Sequence, residues 1–151
     1  MTAINSNRAI RGPVTAVPVV AGKGVRLVAD TENNRWVVEA DETVLWTGSA
    51  VDGSITLSEA MSNFNEVEVW MECTQNSPKP IFKFAGSVGE ITAAVPKGGT
   101  GDKYLYMTAW TVSGNTVAFR YTIIKGVNEG TNYKEVRIVK IVGINRVSAS
   151  A

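Results

Sequence analysis

The chain has 151 residues, 15 basic against 14 acidic side chains, and a hydrophobic fraction of 44%, which is one domain's worth of polypeptide with enough apolar content to form a core. A net charge of +1 gives no global field for nucleic acid or an anionic membrane, and no apolar run reaches the roughly 20 residues that span a bilayer. Histidine is absent and Cys73 is the single cysteine, which removes Ser-His-Asp and Cys-His catalysis, imidazole metal ligands and an intrachain disulfide. The expectation is a non-enzymatic protein with no metal and no cofactor.

In chain order, residues 1–20 are small, polar and interrupted by Pro13 and Pro18, which disfavour helix. They read as an extended arm that orders against a partner or another copy. Asn, Arg and Pro break any continuous apolar run of a secretory signal there, so the product is expected to be made and kept in a cytoplasm, or assembled there into something larger. "AGKGV" at 21–25 resembles part of a phosphate loop. However, Val25 follows Gly24 where Ser or Thr is required, the first glycine is missing, and no helix is expected next; a turn into a strand is the favoured reading.

From residue 24 the pattern is β. "VRLVAD" and "RWVVEA" flank "DTENN", whose Asn33-Asn34 tolerates positive φ. "TVLW", a Gly48–Gly53 turn region and "SITL" follow. "EVEVWMEC" alternates strictly, with Val67, Val69, Met71 and Cys73 on one face and Glu66, Glu68, Trp70 and Glu72 on the other. "IFKFAG" and "EITAAV" continue the series. The glycine-rich "PKGGTGDK" (96–103) reads as a loop between strands. Tyr104, Tyr106, Thr108 and Trp110 alternate into a turn at Ser113-Gly114-Asn115 and return through Val117, Phe119, Tyr121 and Ile123, a strong hairpin signal. "YKEVRIVKIVGINR" is the last strand, and "LSEAMSNF" allows only a turn or two of helix. Many short strands with Gly and Asn turns predict an all-β, jelly-roll-like antiparallel sandwich.

The candidate chemistry is sparse. Glu66 and Glu68 share a strand face, where like charges repel unless Lys or Arg intervenes. No dense acidic calcium loop is present, and Cys73 reads as an inert buried thiol. Four tryptophans and four tyrosines offer sugar-stacking surfaces; Trp70, Tyr104 and Trp110 are the candidate glycan contacts, with core or subunit interface as the ordinary alternative for any aromatic in a sandwich.

The pattern "VVAGKGVRLV.DTENNRWVVEADETVLW" resembles the shaft-to-head region of tailed-bacteriophage fibre proteins. "LWTGSAVDGSITLSEAMSNFNEVEVWM" is similar to the start of their head domains, and "EVRIVKIVGINR" to their closing strand. Together these stretches cover most of residues 20–146. The resemblance implies a virion structural protein, a homotrimer of the head-fibre or capsid-decorating kind, assembled in the host cytoplasm. It implies an anchoring arm at 1–20, a short β shaft and trimerisation region at 21–46 and a β-sandwich head at 47–151. The start methionine and very short shaft look more like a head fibre than a long tail-fibre tip. The alternative is a tail-fibre or baseplate receptor-binding protein that recognises host-surface saccharide.

On that reading Arg8, Ile10, Arg11 and Pro13 grip the capsid. Val25, Leu27, Val37, Val136, Val139 and Ile141 are candidate trimer contacts, because short strands need a sheet or copies of themselves. The expected partners are further copies of the chain, a capsid or other virion protein and host glycan, with neither nucleic acid nor membrane insertion.

Overall fold

The computed structural model describes residues 25–73, 79–97, 105–124 and 134–147. The chain divides into two compact units between Glu42 and Thr43; this division and the boundary expected at 46/47 both lie within the strand Glu42–Ala50. The anchoring arm and the Gly22-Lys23-Gly24 turn lie outside the described residues.

The first unit contains an antiparallel hairpin of β1 (Val25–Asp30) and β2 (Arg35–Ala40). Its turn is built by Asp30. One carboxylate oxygen accepts the Asn33 backbone N–H at 3.1 Å, and the other accepts the Asn33 amide and Arg35 Nε, each at 2.9 Å. Asn34 takes the left-handed conformation at φ 53°, which Asn tolerates better than most residues. The expected turn is therefore observed with its chemistry.

The second unit holds β3 (Glu42–Ala50) apart from its first residue, then β4 (Ser54–Thr56), a 3-10 turn (Met61–Asn63), β5 (Phe64–Cys73) and β6 (Ile81–Ala85). β7 (Glu90–Pro96), β8 (Leu105–Ser113), β9 (Thr116–Ile124) and β10 (Val136–Arg146) complete it. Two four-stranded sheets form, ordered β3-β10-β5-β6 and β4-β9-β8-β7. Val67, Val69, Met71 and Ile138 from the first sheet meet Ile91, Val95, Tyr106 and Trp110 from the second in one core. The fold is an all-β sandwich. The β5–β6 hairpin and the β7-β8-β9 meander each stay within one sheet, where the two Greek keys of a jelly roll would cross more often.

β5 follows its alternation: Val67, Val69, Met71 and Cys73 are buried, and Glu66, Glu68, Trp70 and Glu72 are half-buried on the outer face. The helical signal at "LSEAMSNF" becomes the single 3-10 turn. The strand β3 runs through Ala50, so Gly48 lies in a strand and the turn begins at Val51. The β8–β9 hairpin turns at Gly114-Asn115, with Ser113 opposite Thr116, and Gly114 alone of the two adopts positive φ, 57°, as the glycine-first two-residue hairpin turn requires.

Two bulges alter the expected faces. Opposite Ala109 and Trp110, β9 spends three residues, Tyr121, Arg120 and Phe119. Val117 and Phe119 therefore face the core as expected, but Thr122 and Ile124 replace Tyr121 and Ile123 on that face. In β10 the residues opposite Met71 and Trp70 are Ile138 and Lys140, leaving Val139 as the extra residue. The parity change turns Ile138 and Ile141 to the same side, and both are fully buried in the core.

Candidate functional site

The hairpin of the first unit has two unlike faces. Register pairs Leu27 with Val38 and Ala29 with Trp36, so alternation puts Val25, Leu27, Ala29, Trp36 and Val38 on one face with no polar side chain among them. Val38 is 64% exposed and Trp36 37%. The opposite face carries two cross-strand ion pairs, Arg26–Glu39 at 2.7 Å and Arg35–Asp30 at 2.9 Å, on either side of the Val28–Val37 pair. The candidate contacts Val25 and Leu27 thus share the apolar face, whereas Val37 lies on the ion-paired one. The Asp30 carboxyl is held below its usual range by hydrogen bonds from Asn33, first its side chain and then its backbone, and then from Arg35.

The second unit presents the outer face of the β3-β10-β5-β6 sheet. Lys83 Nζ sits 3.2 Å from both Glu66 and Glu68, the intervening cation that two carboxylates on one strand face require. Glu72 pairs with Lys79 at 3.4 Å and lies 3.6 Å from Arg137 Nε. That second separation exceeds hydrogen-bond reach, and Arg137 Nε is buried without a hydrogen-bond partner, as is Trp70 Nε1. Lys140 Nζ lies 4.9 Å from the centroid of the half-buried Trp70 ring, a cation–π geometry. Trp70 is thus the candidate glycan contact that retains a partly exposed ring.

The other sequence candidates go elsewhere. Trp110 is fully buried, with its ring edge-on to Phe119 at 5.1 Å, so it is a core residue and not a glycan contact. Val136 and Ile141 are likewise fully buried within the sandwich and offer no surface to another copy; the Val139 bulge returns Ile141 to the core face that Val136 and Ile138 already occupy. Val139 itself is half-buried. Tyr104, Arg8, Ile10, Arg11 and Pro13 lie outside the described residues.

Sequence reasoning missed three polar arrangements. The Trp110 indole N–H and the Thr122 hydroxyl both donate to Thr108 Oγ1 at 3.0 Å inside the core, and the Thr108 hydroxyl donates to the Tyr121 carbonyl at 3.4 Å. Tyr106 donates its hydroxyl to Glu135. Glu59 accepts both terminal nitrogens of Arg146, at 2.5 and 2.7 Å, and the Asn63 amide at 3.0 Å, which pins the 3-10 turn to the end of β10.

A shallow cleft of about 190 Å³ lies between Ser62, Ser87, Val88, Gly89 and Val112, and none of its lining side chains is titratable. Among the described residues no group of three or more His, Cys, Asp or Glu is placed to hold a metal ion, and no helix is long and apolar enough to cross a membrane. Comparison with known proteins found no matching family model and no matching curated protein.

Proposed function

We propose that this chain is a non-enzymatic structural protein of a tailed-bacteriophage virion, a head-fibre or capsid-decorating appendage that works as a homotrimer. Residues 1–20 anchor it to the capsid, the β1–β2 hairpin joins the copies, and the sandwich projects as a head for weak, multivalent adhesion to host or glycans. The observation that carries the reading is the two-unit build. A two-stranded hairpin is marginal in water by itself, and here one belongs to a unit, residues 1–42, that is divided from the unit holding the sandwich core. A hairpin with exposed apolar side chains in one unit, and a head with its own core in the other, suits a part made for assembly. The resemblance to phage fibre proteins carried by three stretches, which cover most of residues 20–146, supports the setting.

The test is co-sedimentation of the full chain, and of the chain lacking residues 1–18, with capsids of the encoding phage stripped of this protein. The expected result is that the full chain sediments with capsids and the truncated chain does not, while its circular dichroism stays that of a folded β protein. A full chain that ignores capsids overturns the virion-appendage reading. A truncated chain that still decorates them overturns the arm as anchor.

The receptor-binding alternative draws on Trp70, whose partly exposed ring lies between Glu68 and Glu72 on the outer sheet face. Tight binding of one saccharide on a glycan array, lost in Trp70→Ala, would favour it over a decorating role.

A further inference from the structure

We infer that the outer face of the β3-β10-β5-β6 sheet holds a binding site for an acidic saccharide. The Trp70 ring takes the sugar, and Lys140, with Arg137 beside it, takes the carboxylate. The inference deepens the proposed weak adhesion of the head and rests on it.

The bulge in β10 builds the site. Ile138 stands opposite Met71, so in regular pairing Val139 would stand opposite Trp70. The extra residue puts Lys140 there instead, while Arg137 stands opposite Glu72. Plain alternation would set residues 137 and 140 on opposite faces; the bulge brings both cations to the outer one, in neighbouring rows, next to a partly exposed indole.

The charges of this face are not equally engaged. Lys83 is held between Glu66 and Glu68, and Lys79 by Glu72. Among the described residues no carboxylate lies within ion-pair reach of Lys140; its contact is the Trp70 ring, whose centroid is 4.9 Å from Nζ. Arg137 donates to Ser49 Oγ at 3.2 Å, but its Nε, 3.6 Å from Glu72, finds no acceptor. Trp70 Nε1 finds none either.

These features select the ligand. Donors without acceptors call for an oxygen-rich partner, and a partly exposed indole offers its apolar face to the C–H bonds of a sugar ring. A neutral sugar would use the ring and leave Lys140 unpaired. An apolar partner would desolvate Lys140 with no counter-charge. A sugar that bears a carboxylate answers both groups, and because Nζ lies against the ring, a carboxylate bound there brings its own sugar to the indole. Glu68 and Glu72, on either side of Trp70 along β5, repel an acid from those directions and turn its carboxylate toward β10.

The test is a ligand-observed NMR titration of the full chain with methyl glucuronide and methyl galacturonide. The matching methyl glucoside and galactoside, with a hydroxymethyl group in place of the carboxylate, are the neutral probes. The parent is expected to bind at least one acid with a Kd on the order of 1 mM, and its neutral counterpart about tenfold more weakly, for want of one charge-assisted hydrogen bond. Lys140→Met should weaken binding of the acid by about the same factor, and Trp70→Ala should abolish it with the thermal transition retained. Arg120→Met removes an equal charge from the other sheet, where Arg120 pairs with Glu90, and should bind as the parent does. A parent that binds neither acid, or binds the neutral sugars as well, overturns the site. So does a Lys140→Met protein with parental affinity, or an Arg120→Met protein weakened as much, which would trace binding to net charge. Should Trp70→Ala fail to fold, the Lys140→Met result decides. Capsids take no part, so a chain that binds the acid yet ignores capsids overturns the virion reading and leaves the site standing.

Discussion

Gly143 lies beneath the ring of Phe64: a methyl group on Gly143 would come 2.5 Å from Phe64 Cγ and 2.6 Å from both Cδ carbons. Phe64 opens β5 fully buried, and Arg146 lies over its ring at 4.7 Å from the centroid. A glycine in the middle of a Val- and Ile-rich strand costs stability by itself; its presence at 143 is explained by the ring that occupies the place of a side chain. Gly143→Ala is expected to destabilise the sandwich by about 1–3 kcal/mol through overpacking. Urea unfolding measures this, and in a Phe64→Leu background the added methyl should cost less, because the two changes act on one contact.

The buried hydroxyl network makes an ordered prediction. Thr108 accepts from Trp110 Nε1 and from Thr122, and both threonines are fully buried. Thr108→Val leaves two donors without a partner, each costing about 1–3 kcal/mol. Thr122→Val removes only one donor, and Thr108 keeps its bond from the indole. Denaturant midpoints should therefore fall further for Thr108→Val than for Thr122→Val. Equal losses would mean that packing, and not the hydrogen bonds, sets the cost.

The strands were legible because they alternate and their turns carry Gly or Asn. In the sandwich β5 shows this residue by residue, and in the first unit so does the turn where Asp30 collects Asn33 and Arg35. The bulges at Arg120 and Val139 were not legible. A bulge is one unpaired residue, and the chain's own pattern does not reveal which residue the partner strand skips. A signal separating the two tryptophans was present in the sequence. On its own face Trp70 stands between Glu68 and Glu72, which belong near solvent, whereas Trp110 follows Tyr106 and Thr108, which can be buried once hydrogen-bonded. The Glu59–Arg146 contact joins residues 87 apart, a separation at which no local periodicity can pair them.

That contact sets an acid limb of stability. Hydrogen bonds from Arg146 and then Asn63 lower the Glu59 carboxyl from 4.5 to about 2. The unfolded chain takes up this proton near the ordinary carboxylate value and the folded chain only near the lowered one. The contribution is therefore complete above 4.5 and is lost as pH falls toward 2. Because the pair is partly exposed, with side chains 25% and 49% accessible, solvent screening holds it to roughly 1 kcal/mol or less. Glu59→Gln should lower the melting temperature at neutral pH and flatten its fall across that window. Parent and variant curves that stay parallel through it would show that the acid limb comes from other carboxylates, of which Glu90, lowered by Thr92 and then Arg120, is the first to examine.

Lys83 separates Glu66 from Glu68 on the outer face of the first sheet, 3.2 Å from each. Hydrogen bonds to Glu66 and then to Glu68 raise its pKa, so the lysine keeps its charge throughout the neutral range and up to the alkaline side of its ordinary value. The contribution is fully present below that value and fades only as pH rises through the raised one. Lys83→Gln removes the cation and leaves two carboxylates on one strand face. The remaining repulsion acts through solvent, so added salt screens it within a Debye length of about 3 Å at 1 M, against about 30 Å at 0.01 M. The variant should therefore melt below the parent in dilute buffer and recover most of the difference at high salt. A deficit of the same size at both ionic strengths would assign the loss to the aliphatic stem of Lys83 packing on the sheet and not to its charge.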